Sequence, residues 1–171
     1  MTKDIKTPWI VSPFWSDFRY KEIMASINLY DEKDWNYDEI FNRYLLSGKY
    51  FDKLSIYELD RARKEFNNNE LLYTYSLVSL YNQENSFLEK HYDNNACTYT
   101  IDVCLYAEKP WPLIIEGEEY IINNNEAIFF YGEDQLHWRP DFTPGNRVLM
   151  MFIHFADKNH WYFQPRKFGG E

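Results

Sequence analysis

Hydrophobic positions along this chain follow two different periods, and the change falls near residue 70. Tyr20, Ile23, Met24, Ile27 and Tyr30 recur at helical spacing, with Ser16 or Asp17 placed to cap the first turn. A second helix is predicted after Asn36, with Glu39 completing a capping box, Ile40, Phe41, Tyr44 and Leu45 facing inward, and Gly48 at its C-terminus. A third is predicted from Ser55, boxed by Glu58, burying Ile56, Leu59, Ala62 and Phe66 and ending at Asn67-Asn68-Asn69. Ahead of these, Trp9-Ile10-Val11 lies between prolines and suits an edge strand or extended arm, because proline cannot donate to a central ladder.

Beyond residue 70 the period is two. Leu71 to Tyr81 alternates, rich in β-branched and aromatic residues. From Cys97 to Tyr106, Tyr99, Ile101, Val103 and Leu105 share one face and Thr98, Thr100, Asp102 and Cys104 the other. Leu113–Ile115 and Tyr120–Ile122 flank a Glu-Gly-Glu-Glu turn and read as a hairpin, followed by strands at Ala127–Tyr131, Leu136–Arg139 and Arg147–Phe155. Short strands separated by regular turn signals predict a sandwich or barrel. With the helices grouped first, the fold class is α+β, the helices covering one outer face of the sheet. The chain has no internal repeat, linker or low-complexity tract. It reads as a single domain over 1–171: mostly helical support to residue 70, a β core over 71–156 and an aromatic tail over 157–171.

Composition narrows the function. The net charge of −9, with no Lys/Arg run, gives no field for a phosphate backbone and excludes a nucleic-acid partner. No stretch has membrane-spanning length, and no apolar leader follows Met1, so the expected location is cytoplasmic and no membrane partner is expected. Cys97 and Cys104, seven residues apart in one strand-like run, would stand roughly 23 Å apart on opposite faces. They read as two buried thiols in a reducing compartment. The high aromatic content (20%) is a compositional bias and is not taken as a ring-binding signature.

The chemistry concentrates in His91-Tyr92-Asp93 and in His137. Two imidazoles and one carboxylate on one metal ion, with other positions open, form the facial triad of non-haem iron(II) oxygenases. Taken alone, the His-x-Asp match also fits a solvated loop histidine bonded to a carboxylate. Ten residues after His137 comes Arg147, opening the last apolar strand, where a guanidinium can pair with a carboxylate or with a surface acid. His154 reads as a hydrogen-bonded core or rim histidine, and His160 as part of an aromatic strap.

Taken jointly, residues Leu71 to Phe155 resemble the iron(II)/2-oxoglutarate-dependent oxygenase superfamily, especially its compact prolyl-hydroxylase-like branch. Tyr81 through Asp93 is similar to that branch's strand, turn and HxD. Thr100 to Tyr106 is similar to the strand that follows it. Gly132 through His137, then Pro140, Gly145 and Arg147, are similar to the distal-histidine segment and oxoacid anchor. The resemblance implies a double-stranded β-helix (a jelly-roll, cupin-like barrel), Fe(II) on His91, Asp93 and His137, and 2-oxoglutarate held at its far carboxylate by Arg147. Tyr99 is the best aromatic candidate for a further oxoacid contact. The implied activity is a dioxygenase consuming O2 and releasing succinate and CO2. Asp93 in place of a small residue favours hydroxylation over halogenation. The chain departs from the pattern in carrying arginine where the branch often has lysine. It also has Trp111–Gly117 in place of a glycine-rich segment bordering the substrate, so a small molecule and a peptide both remain open. The competing readings are a non-oxidative cupin-like sugar epimerase or small-molecule binder, and a non-catalytic relative acting as an interaction module. Oligomeric state is not legible.

Overall fold

The computed structural model describes residues 6–164. Ten strands and three helices follow in the order β1 (Trp9–Val11), α1 (Asp17–Ile27), β2 (Asn36–Asp38), β3 (Arg43–Leu46), α2 (Lys49–Tyr57), α3 (Leu59–Glu65), β4 (Leu71–Tyr81), β5 (Tyr99–Ala107), β6 (Leu113–Ile115), β7 (Glu118–Tyr120), β8 (Glu126–Phe130), β9 (His137–Trp138) and β10 (Val148–Asp157). Every pairing is antiparallel. The major sheet runs β1-β8-β5-β10-β4-β3-β2 and the minor sheet β7-β6-β9. The minor sheet is extended past β9 by a single bridge between His91 and His137.

Two hydrophobic layers flank the major sheet, and strand alternation assigns residues to them. On β10, Leu149, Met151, Ile153 and Phe155 face the helices, while Val148, Met150 and Phe152 face the minor sheet. On β5, Ile101, Val103 and Leu105 face the helices and Cys104 faces inward, as the alternation in the sequence predicts. The interior between the sheets holds Trp111, Leu113, Ile115, Ile128 and Phe130. The helical layer is aromatic: Phe66 contacts Trp9, Tyr99, Phe129 and Tyr131 at ring-centroid distances of 5.1–5.6 Å. The excess of aromatic residues thus has a packing role.

The helix α1 is capped by Ser16 as predicted, its hydroxyl accepting from Arg19 N, and buries Ile23 and Ile27. Two expectations are corrected. Residues 36–48 form the β2–β3 hairpin and no helix. Asn42 takes φ 47°, a left-handed turn that asparagine tolerates, and β3 pairs with β4 through Tyr44–Leu80, Leu45–Ser79 and Leu46–Val78. Pairing with an open sheet edge overrides the ambiguous local period there. The single helix predicted from Ser55 is two, broken at Glu58. The Ser55 hydroxyl donates to Phe51 O, and Glu58 turns inward to accept from the Trp15 indole at 2.7 Å and to pair with Arg61 at 3.1 Å. The support before residue 71 is therefore part strand, part helix. Cys97 sits in a 3-10 turn (Asn95–Cys97) ahead of β5; both cysteines are buried and free. In the tail, Tyr162 Oη donates to Thr74 O at 3.2 Å; residues 165–171 lie outside the described range. No helix among the described residues is long and apolar enough to cross a membrane.

Candidate metal centre

The minor sheet supplies both histidines. His91 N donates to His137 O at 3.1 Å, and His137 N donates to His91 O at 3.0 Å. This places the rings side by side, centroids 4.2 Å apart. Asp93, two residues on, is fixed by its backbone N–H donating to Gly132 O at 2.9 Å. Its Oδ1 lies 3.5 Å from His91 Nε2 and 3.5 Å from His137 Nε2. The three ligand atoms all fall within 4.8 Å of one another. Ligands about 2.0–2.2 Å from one ion have separations of this order.

The protonation pattern suits a cation. His91 Nδ1 lies 2.7 Å from Glu89 O and His137 Nδ1 lies 2.8 Å from Gln135 O. A carbonyl only accepts, so each Nδ1 carries a proton, and each Nε2, facing Asp93, is the nitrogen that a metal would take in exchange for a proton. Burial pushes the Asp93 carboxyl up, but hydrogen bonds from His137 and His91 outweigh it and hold the group far below the usual carboxylate range. His91 is also buried, which opposes its charge. Asp93 and the Glu89 carbonyl reverse that and raise it. Thr100 Oγ1 donates to Asp93 Oδ2 at 3.2 Å, leaving Oδ1 for the shared point.

Gly132 is the hidden support. A Cβ at that position would meet Asp93 Oδ2 at 2.1 Å, Thr100 Oγ1 at 2.6 Å and Cys97 O at 2.7 Å, so only glycine fits behind the carboxylate.

A second potential ligand set, Asp93, Cys97 and His154, shares the same carboxylate. It is less suited to a cation. Burial and the Asp93 charge push the Cys97 thiol up to about 12, and its sulfur lies 2.9 Å from Tyr75 Oη. His154 is held neutral by burial, which lowers it to about 4, and its Nδ1 lies 3.2 Å from Thr100 Oγ1. It is a hydrogen-bonded rim histidine, as its sequence context suggests.

A cavity of about 230 Å³ opens beside the triad, walled by Tyr75, Leu77, Phe130 and Phe152 and reaching Arg43. Two expected contributors are not in it. Arg147 is exposed and lines outer grooves with Tyr30, Trp35 and Leu80. It has the parity of Leu149 and Met151, which face the helices, so its side chain leaves the barrel on the outer side. Tyr99 shares the Ile101 face, where its hydroxyl accepts from Asn68 at 3.1 Å and lies 3.5 Å from Asp157 Oδ2. The expectation that either borders the metal centre is corrected on this parity.

Another guanidinium, Arg139, is buried within the barrel, outside the residues that line this cavity. Arg139 has the parity of His137, is 5% exposed, donates through Nη1 to Trp111 O and lies over the Trp111 ring at 5.0 Å. Its Nε and Nη2 are buried with no hydrogen-bond partner among the described residues; so are Ser79 Oγ and Asp102 Oδ1. Ser79 lies between Leu77 and Tyr81 on the inward face of β4, and Asp102 between Thr100 and Cys104 on that of β5. Native proteins rarely leave buried polar atoms unpaired, so each of these calls for an ordered water, an ion or a ligand group. Asp102 is pushed up to about 7 by burial, against the pull of Arg139. Sequence reasoning passed over Arg139, although its two-residue offset from His137 carries the parity signal.

No family model matches the chain, and no curated protein matches it. Solved structures do. A Pseudomonas putida prolyl-4-hydroxylase superposes with a TM-score of 0.69 at 13% identity, over 88% of this chain and 92% of its own. HygX from Streptomyces hygroscopicus, solved with nickel, 2-oxoglutarate and hygromycin B bound, gives 0.70 at 10% identity over 89% and 83%. SnoN, a non-heme alpha-ketoglutarate-dependent epimerase from nogalamycin biosynthesis, gives 0.70 at 9% identity over 96% and 86%. The fold is that of the prolyl hydroxylases and other 2-oxoglutarate–Fe(II) oxygenases: a double-stranded β-helix with helices on one face.

Proposed function

We propose that the protein is an Fe(II)- and 2-oxoglutarate-dependent dioxygenase that hydroxylates a small-molecule or peptide substrate. The observation that carries this reading is the convergence of two imidazole Nε2 atoms and one carboxylate oxygen on a single point beside a cavity. Nitrogen and oxygen donors without thiolate suit Fe(II), and three protein ligands leave positions for an oxoacid and dioxygen. When bound, Fe(II) and 2-oxoglutarate with O2 supply oxidising power, with succinate and CO2 as co-products.

The chain's own groups divide the remaining work. His91, Asp93 and His137 would hold the ion, with Glu89 O, Gln135 O and Thr100 Oγ1 fixing their orientation. Arg139 and Ser79, with their unpaired buried atoms, are the best candidates for the far carboxylate of 2-oxoglutarate. Leu77, Phe130 and Phe152 exclude water around the reacting centre. HygX, solved with nickel and 2-oxoglutarate bound, and SnoN, an alpha-ketoglutarate-dependent epimerase, share the fold, which supports metal and oxoacid use on this barrel.

The test is succinate formation from 2-oxoglutarate with Fe(II) and O2. Wild type is expected to form succinate only when all three are present, and His91→Ala and Asp93→Ala to fall to background. Full turnover by either variant overturns the reading.

A further inference from the structure

The cavity beside the triad has one permanently charged side chain on its wall that the proposed chemistry leaves idle. Arg43, on β3, lines it with Phe41, Leu77 and Leu88, and its side chain is 13% exposed. Nε donates to Asp38 Oδ2 at 2.8 Å and Nη1 to Tyr81 Oη at 2.8 Å. The guanidinium carbon lies 4.7 Å from the Phe41 ring centroid and 5.7 Å from that of Tyr81. Nη2 has no hydrogen-bond partner among the described residues, and Nη1 has a second hydrogen to give. The group is held in orientation by two rings and two hydrogen bonds, with the outer edge of its fork left over.

Asp38 and Arg43 are register partners across the hairpin, so part of this arrangement closes β2 onto β3. A pair serving only that purpose would gain little and would ordinarily sit in solvent. This one is 13% and 14% exposed, and its arginine lines the cavity. The hairpin also delivers Phe41, whose ring centroid is 6.1 Å from that of His91. One short element thus brings an aromatic surface and a cation to the wall that borders the metal ligands.

We propose that Arg43 reads a carboxylate on the substrate, and hence that the substrate is a small carboxylic acid with an apolar or aromatic body. This rests on the dioxygenase reading of the same site. The chemistry favours a monoanion: Asp38 already neutralises part of the guanidinium, which leaves it matched to one singly charged group. The planar fork suits a carboxylate, and Phe41, Leu77, Leu88, Phe130 and Phe152 supply an apolar part of the wall for the body of such a molecule. The oxoacid has its own guanidinium in Arg139, inside the barrel, which leaves Arg43 for the second reactant.

The experiment uses the full chain loaded with Ni(II) and 2-oxoglutarate, titrated calorimetrically with matched probes: 3-phenylpropanoate against 3-phenylpropanamide, and N-acetylleucine against its amide. The acids are expected to bind about tenfold more tightly than the amides, as a charge-assisted hydrogen bond exceeds a neutral one. R43Q removes the preference and R43K keeps part of it. D38N separates this role from hairpin closure: a purely structural pair predicts that D38N and R43Q behave alike, whereas an anion reader predicts that D38N keeps or strengthens the acid preference. Acid–amide parity in wild type, including saturable binding by neither, overturns the proposal. So does an R43Q protein that loses 2-oxoglutarate and keeps the acid preference. A protein that binds neither Ni(II) nor 2-oxoglutarate yet still prefers acids overturns the dioxygenase reading and supports Arg43.

Discussion

His91 and His137 are held to each other by a reciprocal pair of backbone hydrogen bonds, so the positions of both imidazoles are set by one bridge and not by either side chain. His91→Ala should therefore remove a ligand without disturbing the barrel. Wild type is expected to gain melting temperature on addition of Ni(II) or Co(II), by about 2.7 kcal/mol of stability at a hundredfold excess over Kd. His91→Ala should show the same far-UV circular dichroism and lose most of that gain. A chelator should return wild type to the metal-free melting temperature.

Gly132→Ala tests the carboxylate's seat. The added Cβ has no room beside Asp93 Oδ2, Thr100 Oγ1 and the Cys97 carbonyl, so Asp93 must move or the segment must shift. Loss of metal binding by at least the 10- to 100-fold typical of outer-shell defects is expected, with a modest fall in stability. Isothermal titration with Co(II) reads the first and urea unfolding the second. Metal affinity equal to wild type would show that the carboxylate does not depend on this contact.

The two arginines after His137 should separate cleanly. Arg139→Gln is expected to weaken 2-oxoglutarate binding to the Ni(II) form severely, because a buried charge-assisted partner is lost. Arg147→Gln, exposed and on the helix side, should leave it unchanged. Competitive displacement followed by NMR compares them directly. The reverse result would return the anchor to the position that motif spacing alone suggests.

Asp102 gives a pH dependence with a definite sign. Burial pushes its carboxyl up to about 7, above the ordinary 3.8, despite the neighbouring Arg139. Between those values the folded state holds a proton that the unfolded chain has released, so this group's contribution falls as pH rises through the interval. Asp102→Asn abolishes it. In metal-free protein the variant should be more stable than wild type at pH 8, by a few kcal/mol at about 1.4 kcal/mol per unit, and the gap should close toward pH 4. Urea unfolding across that range checks it; a gap that widens toward acid would contradict the assignment.

Much of this architecture was legible before any coordinates. The alternation of Ile101, Val103 and Leu105 against Thr100, Asp102 and Cys104 sorted β5 correctly, and Ser16 marked the start of α1. What spacing could not carry was direction. Counting ten residues from His137 selects Arg147, but Asn146 reaches back to bond Lys109 and fixes the start of β10 so that Arg147 takes the outer parity. Tyr99 fails on the same ground: its own alternation already assigned it to the Ile101 face, away from Asp102. The hairpin at 36–46 was read as helix because Phe41, Tyr44 and Leu45 repeat at a spacing both periods tolerate. Its decisive contact, with β4, is non-local. Arg43 was invisible for that reason.

The N-terminal strands have a consequence for how the protein can be handled. β1 lies along β8 and β3 lies along β4, so segments from before residue 47 occupy both flanks of the barrel's main sheet. The stretch that carries the metal motif is consequently not a separable module. A fragment beginning at Leu71 would expose two rows of unpaired amides and carbonyls, together with the apolar surface that Trp9, Ile23 and Phe51 cover. Unprotected strand edges of that kind template association with other chains. Such a fragment is expected to aggregate on expression, even though every residue of the proposed iron site lies within it.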